Sequence, residues 1–464
     1  MKNEIEERFE DWKGREAIPG KHGGIGPAAI ACVVEVMENI VFVANGFNFV
    51  EYFMSSMHYS PATAANMVTN FMGTTFLLTL LGGFIADSFL TNFTTFIIFC
   101  CLELMGLILL TFQSYSPKLQ PESDKTPSTL QATILFTGLY AMAFGAGGIK
   151  ASLPTHGGDQ LDRGNPRLIS RFFNWFYFSI CCGSILAVTI VVSIEESKGW
   201  FWSFTISAGT LALALFIFMA GCLDKAMLNK NISAIEVAET RTFLGLLPIF
   251  FSTIAMNCCL AQLSTFSVQQ GMIMDRKLFG SFEIPVPSLV AIPLLLVILS
   301  APLYDYFEKR ISLDISPSFN LYRIRLGLAL SSFSMVIAAI VETTRKYVAV
   351  HSDFKISVLW LMVQYLLLTV ADTLAFGGML DFFYREAPSN MKSMSTALGW
   401  CSTAFGFFLS TALVEVTNTI TGWLGHQWLG GEDLNETSLE LFYVVLFVLN
   451  TLNLLNYNFW MKGY

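Results

Sequence analysis

The chain has 464 residues, of which 54% are hydrophobic and 13% are charged, and its mean hydropathy is +0.56. A soluble domain carries about 25% charged residues, so this composition excludes a soluble enzyme, a nucleic-acid-binding protein and a disordered chain. The formal net charge is −8, without a basic block, which leaves nucleic acid out of the expected partners. At about 20 apolar residues per crossing, the hydrophobic content predicts about twelve transmembrane helices.

Residues 1–26 form a charged N-terminal segment without the apolar core and cleavage site of a secretory signal, and we expect this segment in the cytosol. Six apolar runs of helix length follow, and a polar linker at 223–242 separates them from six more. The predicted helices are 27–53, 61–87, 91–113, 128–150, 168–194, 199–222, 243–270, 285–307, 318–344, 357–384, 391–418 and 438–460. The sequence therefore predicts an all-α membrane protein with six-helix bundles at 27–222 and 243–464.

The distribution of positive charge predicts the orientation in the bilayer. With a cytosolic N-terminus, about 19 of the 27 Lys and Arg residues fall on the inner side and about 8 on the outer side. Both termini are therefore expected in the cytosol. Asp87 ends the second predicted helix and Asp305 the eighth, each at a short inner loop. Related six-helix halves are the plan of a major facilitator transporter, in which these two acids would latch the cytoplasmic gate.

Ionisable side chains inside the predicted helices are candidate functional groups, because each is costly in a bilayer without a partner or a cavity. The first helix carries Glu35 and Glu38 on one face, the fourth ends at Lys150, and the tenth carries Asp372. We interpret Lys150 as the cation of a switchable pair whose acid takes up and releases a proton. The glycines within 145–148 favour backbone movement there. A static ion pair between two helices is the alternative.

Neutral polar residues on apolar helices suggest a cavity, and 42 Phe and 19 Met residues are enough to line one for a bulky apolar ligand. The candidate cavity residues are Asn70, Gln262, Gln364 and Trp400. Glu103 in the third helix is equally well interpreted as a polar packing residue. The sequence carries no nucleotide-binding loop, metal-ligand spacing or catalytic triad pattern. We therefore expect no enzyme activity, no catalytic residue, no metal and no cofactor.

Several segments resemble the plant nitrate/peptide transporter family, part of the proton-dependent oligopeptide transporters. These segments are Gly147–Lys150, Gly157–Gln160, Phe172–Tyr177, Ala261–Gln270 and Phe382–Pro388. Three further segments are similar to members that import abscisic acid, some of which also carry gibberellins: Lys21–Gly24, Val68–Thr74 and Asn257–Gln262. In this family a tenth-helix acid pairs with the fourth-helix lysine, and the resemblance assigns these positions to Asp372 and Lys150.

Two departures from the family pattern bear on the substrate. Peptide-transporting relatives carry E-x-x-E-R in the first helix, whereas Asn39 follows Glu38 here. Lys150 must then serve several carboxylates, so either one Glu stays protonated or the coupling differs. A nitrate-transporting relative has a histidine before the Ala-Gln of the seventh helix, where this chain has Leu260, which neither protonates nor donates. Asn39 and Leu260 thus join the expected substrate site and favour an apolar acid.

The resemblance implies a multi-pass plasma-membrane transporter that imports abscisic acid, gibberellin or both by alternating access with protons. Its expected partners are the hormone, protons, the lipid bilayer and a kinase, because the family's R-x-x-T phosphorylation site falls at residues 92–95, where Asn92 replaces the arginine and Thr95 is kept. Members usually carry a long cytosolic linker between the halves, so the short one at 223–242 is expected to be truncated. A low-affinity nitrate transporter of the same fold and a hormone or nutrient receptor that signals without transport are the alternatives.

Overall fold

The structure is a computed structural model, and the residues that it describes are predominantly helical. They are 9–10, 24–59, 61–122, 125–162, 165–221, 226–227, 235–279, 282–283, 289, 291, 293–295, 297–298, 317–352, 354–388, 391–425, 427–429, 434–435 and 437–461. Most of the eighth predicted crossing, half of the predicted linker and the candidate gate residue Asp305 lie outside these residues.

The described helices follow the predicted crossings closely. Their bounds are α1 Ile25–Ser55, α2 Pro61–Ser88, α3 Asn92–Tyr115, α4 Thr129–Asp159, α5 Pro166–Leu186, α6 Val192–Lys198, α7 Trp200–Gly221, α8 Ile235–Ala261, α9 Phe266–Ile273, α10 Pro317–His351, α11 Leu361–Glu386, α12 Lys392–Trp423 and α13 Leu439–Met461. A π-helical turn joins α5 to α6, and a 3₁₀ turn joins α8 to α9. Within the described residues, 11 helical spans are long and apolar enough to cross a membrane.

Two short antiparallel strand pairs accompany the helices. Strand β1 (Phe9–Glu10) pairs with β2 (Ala226–Met227), with Phe9 opposite Met227. Strand β3 (Lys277–Phe279) pairs with β4 (Phe282–Glu283) just after α9. Both pairs are too short to change the all-helical class of the fold.

Local sequence accounts for where several helices begin and end. Ser128 starts α4 with a capping box, in which its side chain and that of Gln131 each bond the other's backbone N–H. Asn165 caps α5, and Pro166 follows at the first helical position, where a missing N–H costs nothing. Gly199 has φ +86°, a conformation that favours glycine, and it separates α6 from α7. Helix α4 extends nine residues beyond its predicted end, because apolarity marks the bilayer and not the helix terminus.

The described chain groups into two compact units. The N-terminal unit comprises Met1–Leu246 together with Phe383–Cys401, and the C-terminal unit comprises Leu247–Phe382 and Ser402–Tyr464. In the N-terminal unit α4 packs against α2 and α3, while α1 packs against α5 and α7. In the C-terminal unit α10 packs against α13, and Phe442, Tyr443 and Leu446 form a buried core with Met335 and Cys259.

The glycines near the middle of α4 permit close helix packing. A Cβ atom at Gly145 would lie 2.5 Å from the backbone nitrogen of Glu103 on α3, and one at Gly148 would overlap the ring of Phe99. Helix α3 can therefore approach α4 at backbone distance. These glycines therefore have a packing role, because any side chain there would push the two helices apart, and the predicted backbone movement stays a prediction.

Candidate functional site

Helices α1 and α4 bring a fully buried ion pair together in the N-terminal unit. Lys150 Nζ donates to Glu38 Oε2 at 3.0 Å, and the exposed fraction of both side chains is 0%. The second carboxylate oxygen of Glu38 has no hydrogen-bond partner among the described residues. Of the carboxylates that the sequence offers to Lys150, Glu38 is thus in direct contact, and it is held by a single bond.

Aromatic rings complete the surroundings of the Lys150 ammonium. Its Nζ lies 4.3 Å from the ring centroid of Phe42 and 4.9 Å from that of Trp400. Trp400 in turn stacks on Phe76, with centroids 5.7 Å apart and planes inclined by 2°. A cation over aromatic faces is stabilised by the ring quadrupole. The ammonium therefore lies among apolar surfaces with an acid on one side.

Two more carboxyl groups are buried close to this pair. Glu35 on α1 and Glu103 on α3 interact electrostatically with both Glu38 and Lys150. Neither oxygen of either group has a hydrogen-bond partner among the described residues. In that part of the chain no set of three or more His, Cys, Asp or Glu side chains is placed to hold a metal ion. One buried lysine therefore serves three buried acids.

Asn39 and Asn70, expected at the substrate site, have different environments. The amide nitrogen of Asn39 donates to the Ile180 carbonyl at 2.6 Å and to Ser184 Oγ at 2.8 Å, both on α5. These bonds give Asn39 a role in packing α1 against α5, as interhelical hydrogen bonds commonly do in membrane bundles. Asn70 is exposed on α2.

Gln262 and Gln364 belong to the C-terminal unit and are both buried. Gln262 Nε2 donates to the Cys258 carbonyl at 3.0 Å and to Ser410 Oγ at 2.9 Å. Gln364 Nε2 donates to Ser267 Oγ at 2.8 Å. The side-chain oxygen of each glutamine has no partner in the described part of the chain, so each retains one acceptor that a ligand hydroxyl could use.

Three other predicted residues are placed as follows. Leu260 is partly buried against the core of the C-terminal unit that contains Phe442. Asp372 is half-buried on α11. Thr95 is fully buried on α3, so a kinase cannot reach its hydroxyl in this conformation. Regulation at Thr95 stays a prediction, and it requires a conformation in which the first turn of α3 is accessible.

Asp87, the candidate gate residue, binds the first turn of α12 within the N-terminal unit. Its two carboxylate oxygens accept the backbone N–H of Ser393 at 3.2 Å and of Met394 at 2.8 Å. The first N–H groups of a helix have no partner inside the helix, and a negative charge there also complements the helix dipole. Asp87 therefore acts as an N-cap supplied by another helix.

A second contact holds the same segment. Asp159 and Tyr384 lie in segments that carry the family resemblance, whereas Lys392 lies outside them. Asp159 at the end of α4 accepts from the hydroxyl of Tyr384 at 2.8 Å and lies 3.8 Å from Lys392 Nζ. Lys392 also lies 4.3 Å from the ring centroid of Tyr384. The described residues on either side of the connection between α11 and α12 are thus bound to the N-terminal helices.

A buried network in the C-terminal unit was missed from the sequence. Arg345 on α10 binds Glu342 through two bonds of 2.7 Å, and Gln270 donates to the same carboxylate at 2.6 Å. Asn435 accepts from Arg345 at 2.7 Å, and Tyr443 donates to Gln270 at 2.9 Å. The available signal was the three-residue spacing of Glu342 and Arg345, which places the two side chains on one helix face.

Comparison with known proteins identifies the family. A family profile described as the POT family matches residues 93–232 and 222–429. This chain belongs to the POT family. It is 67% identical to Protein NRT1/PTR FAMILY 4.2 and 56% identical to Protein NRT1/PTR FAMILY 4.1, both of Arabidopsis thaliana, with 100% of each chain covered. It also superposes on the POT family transporter PepTSo with a TM-score of 0.70 at 18% identity, covering 94% of this chain and 98% of the other.

The comparisons confirm the predicted family and fold class. This POT family member is an all-α, multi-span membrane transporter with the major facilitator fold. The alignment with the 67% identical relative runs over 521 positions, against 464 residues here. The relative therefore has positions without a counterpart in this chain.

Proposed function

We propose that this POT family member imports an apolar weak acid, abscisic acid or gibberellin or both, across the plasma membrane by proton-coupled alternating access. The observation that carries the proposal is the setting of Lys150. Its ammonium is buried, bound to one carboxylate oxygen and bordered by the rings of Phe42 and Trp400. An acid with a large apolar skeleton matches this setting, since its carboxylate takes the ammonium while its skeleton covers the aromatic faces.

In this proposal the substrate carboxylate replaces Glu38 as the partner of Lys150. Glu38 would then be a buried anion without a partner, a state that costs far more than the neutral acid. A proton taken up by Glu38 removes that cost, and the same chemistry applies to Glu35 and Asp372. One substrate anion and one proton then enter together, which keeps the site neutral.

The remaining polar groups shape the site and its access in the proposed cycle. Exposed Asn70 would contribute to the ligand site from α2. The ligand-binding roles of Gln262 and Gln364 stay predictions, and the side-chain oxygen of each has no hydrogen-bond partner among the described residues. Asp87 would release the first turn of α12 when the cytoplasmic side opens. Asp305 keeps its predicted role as the second latch, outside the described residues.

The proposed topology keeps both termini and the linker at 223–242 in the cytosol, with six-helix bundles at 27–222 and 243–464. This arrangement rests on the excess of Lys and Arg on the inner side. An epitope tag at either end, tested for antibody access in intact and in permeabilised cells, checks it. Staining of intact cells would contradict the proposed orientation.

Uptake of labelled abscisic acid into cells that express the full chain tests the substrate and the role of Lys150. We expect Lys150→Ala to reduce uptake at least tenfold, because the substrate carboxylate loses its cation. The matched control is Lys198→Ala, which removes an exposed lysine that lies 5.7 Å from the Trp202 ring centroid. Equal uptake by wild type and Lys150→Ala would remove Lys150 from the mechanism.

Competition experiments separate the alternatives. Unlabelled gibberellin should reduce abscisic acid uptake if both hormones use the Lys150 site, while nitrate should not compete. Leu260 supports this expectation, because a small hydrated anion gains nothing from an apolar side chain. Nitrate currents that hormone leaves unchanged would favour the nitrate transporter, and a hormone response that persists when flux is blocked would favour the receptor.

A further inference from the structure

Glu103 is a fully buried carboxyl group beside the Lys150–Glu38 pair. Its exposed fraction is 0%, and neither of its oxygens has a hydrogen-bond partner among the described residues. The absence of a side chain at Gly145 lets its backbone lie directly against α4, five residues before Lys150. A polar group that only packs two helices together would bond a neighbouring helix, as Asn39 does when its amide nitrogen donates to α5.

The ionisable groups around Glu103 do not balance its charge. Glu38 faces it from α1, Lys150 from α4 and Cys100 from its own helix. Helix α7, which also packs on α3, contains no ionisable residue. The acid on α2, Asp87, is bound to the first turn of α12. Among the described residues, Lys150 is therefore the cation that interacts with Glu103, and it is already bonded to Glu38.

We propose that the cluster of Glu35, Glu38, Glu103 and Lys150 holds two protons in this conformation and that Glu103 carries one of them. Three ionised carboxylates around one ammonium would leave two uncompensated negative charges in a site closed to water, which is prohibitive. With Glu35 and Glu103 protonated, the ionised Glu38 and the ammonium cancel and the cluster is neutral. The protons belong to the coupled cluster as a whole, and Glu103 is a carrier that the family pattern on α1 and α4 does not include.

The two protons follow from the burial of the cluster, whereas their role in transport rests on the proposed function. When the substrate carboxylate takes Lys150, Glu38 must be protonated as well, and the neutral cluster then holds three protons and one bound anion. Ionisation of Glu103 as the external pH rises would place an unpaired charge beside the substrate anion. Glu103→Gln is a permanent mimic of the protonated group, so its uptake should persist at a higher pH than that of the wild type.

Infrared spectroscopy of the full chain, purified and reconstituted in lipid, measures the protons directly through the C=O stretching band of protonated carboxyl groups. We expect Glu103→Gln and Glu35→Gln to remove equal increments of this band at neutral pH, and the double variant to remove both. The matched control is Glu51→Gln, an exposed glutamate on α1, which should leave the band unchanged. A band in Glu103→Gln identical to that of the wild type would overturn the inference.

Two further measurements keep the result decisive. If Glu103→Gln does not purify as a folded protein, Glu103→Asp should shift the position of one band component, and an unshifted band would overturn the inference. The pH profile of abscisic acid uptake then separates the two proposals. Loss of the band increment together with uptake that is independent of pH in the wild type would leave the two stored protons standing and overturn the proton coupling.

Discussion

Two buried acid–base pairs, Lys150–Glu38 in the N-terminal unit and Arg345–Glu342 in the C-terminal unit, are built in opposite ways. The Lys150 pair has one bond of 3.0 Å and leaves an oxygen of Glu38 without a partner among the described residues. In the Arg345 pair two bonds of 2.7 Å join the guanidinium to the carboxylate, and Gln270 adds a third at 2.6 Å. Equal burial therefore does not imply equal function. We call the Arg345–Glu342 pair, whose carboxylate oxygens are all hydrogen-bonded, the structural pair. We call the Lys150–Glu38 pair, which leaves one oxygen for another partner, the exchangeable pair.

The largest expected effect comes from breaking the satisfied pair. Glu342→Gln should lower the free energy of unfolding by about 3–5 kcal/mol, because it leaves the Arg345 charge buried and uncompensated. An arginine cannot escape this cost by losing its proton. The apparent melting temperature of the purified protein in detergent measures the loss. A variant with the same melting temperature as the wild type would show that the network does not stabilise this end of α10.

The Lys150 pair supplies the contrast for that experiment. Lys150→Ala also leaves a buried acid without its partner, but Glu38 can become neutral by binding a proton. We therefore expect Lys150→Ala to melt closer to the wild type than Glu342→Gln does, while it loses uptake. The opposite order of melting temperatures would contradict the division into a structural pair and an exchangeable pair.

A smaller effect is expected from the aromatic surroundings of Lys150. Trp400→Leu keeps an apolar side chain but removes the ring that faces the ammonium, which should cost about 1–2 kcal/mol of substrate binding, or roughly five- to thirtyfold in KM for abscisic acid. Trp202→Leu is the matched control, since Trp202 is exposed and faces Lys198. An unchanged KM in Trp400→Leu would show that the ring does not contact the substrate.

The sequence predicts the exchangeable pair, Lys150–Glu38, better than the structural pair, Arg345–Glu342, for a physical reason. Charge is scarce inside the predicted helices, so Glu35, Glu38 and Lys150 are conspicuous there. Glu342 lies in the last turn of the ninth predicted crossing and Arg345 lies just beyond its end at 344, whereas α10 continues to 351. A charged pair at the end of an apolar run is indistinguishable from loop residues until the packing partners are known.

The same reasoning explains the other differences between sequence and structure. Helix type and position follow from apolar runs of about 20 residues, and the described helices match them. Which face of a helix a polar residue occupies depends on its neighbours, so Asn39 bonds α5 and Thr95 is buried. Glu103 gains its importance from Gly145 on another helix, a relation that no local pattern in the sequence reports.

The smallest effect is expected at Lys346, the neighbour of Arg345 in the chain. Its Nζ lies 3.4 Å from Glu440, and the exposed fractions of the two side chains are 27% and 21%. Water screens such a pair, so Lys346→Met should lower the free energy of unfolding by no more than about 1 kcal/mol. Lys346 and Arg345 lie on the same helix turn. The melting temperatures of Lys346→Met and Glu342→Gln therefore compare a partly exposed ion pair with a buried one in nearly the same place. Lys346 Nζ also donates to the Thr437 carbonyl at 2.6 Å. If Lys346→Met lowered the free energy of unfolding as much as Glu342→Gln does, the attachment of this helix end to Thr437 and Glu440 would contribute more to stability than burial of the charge.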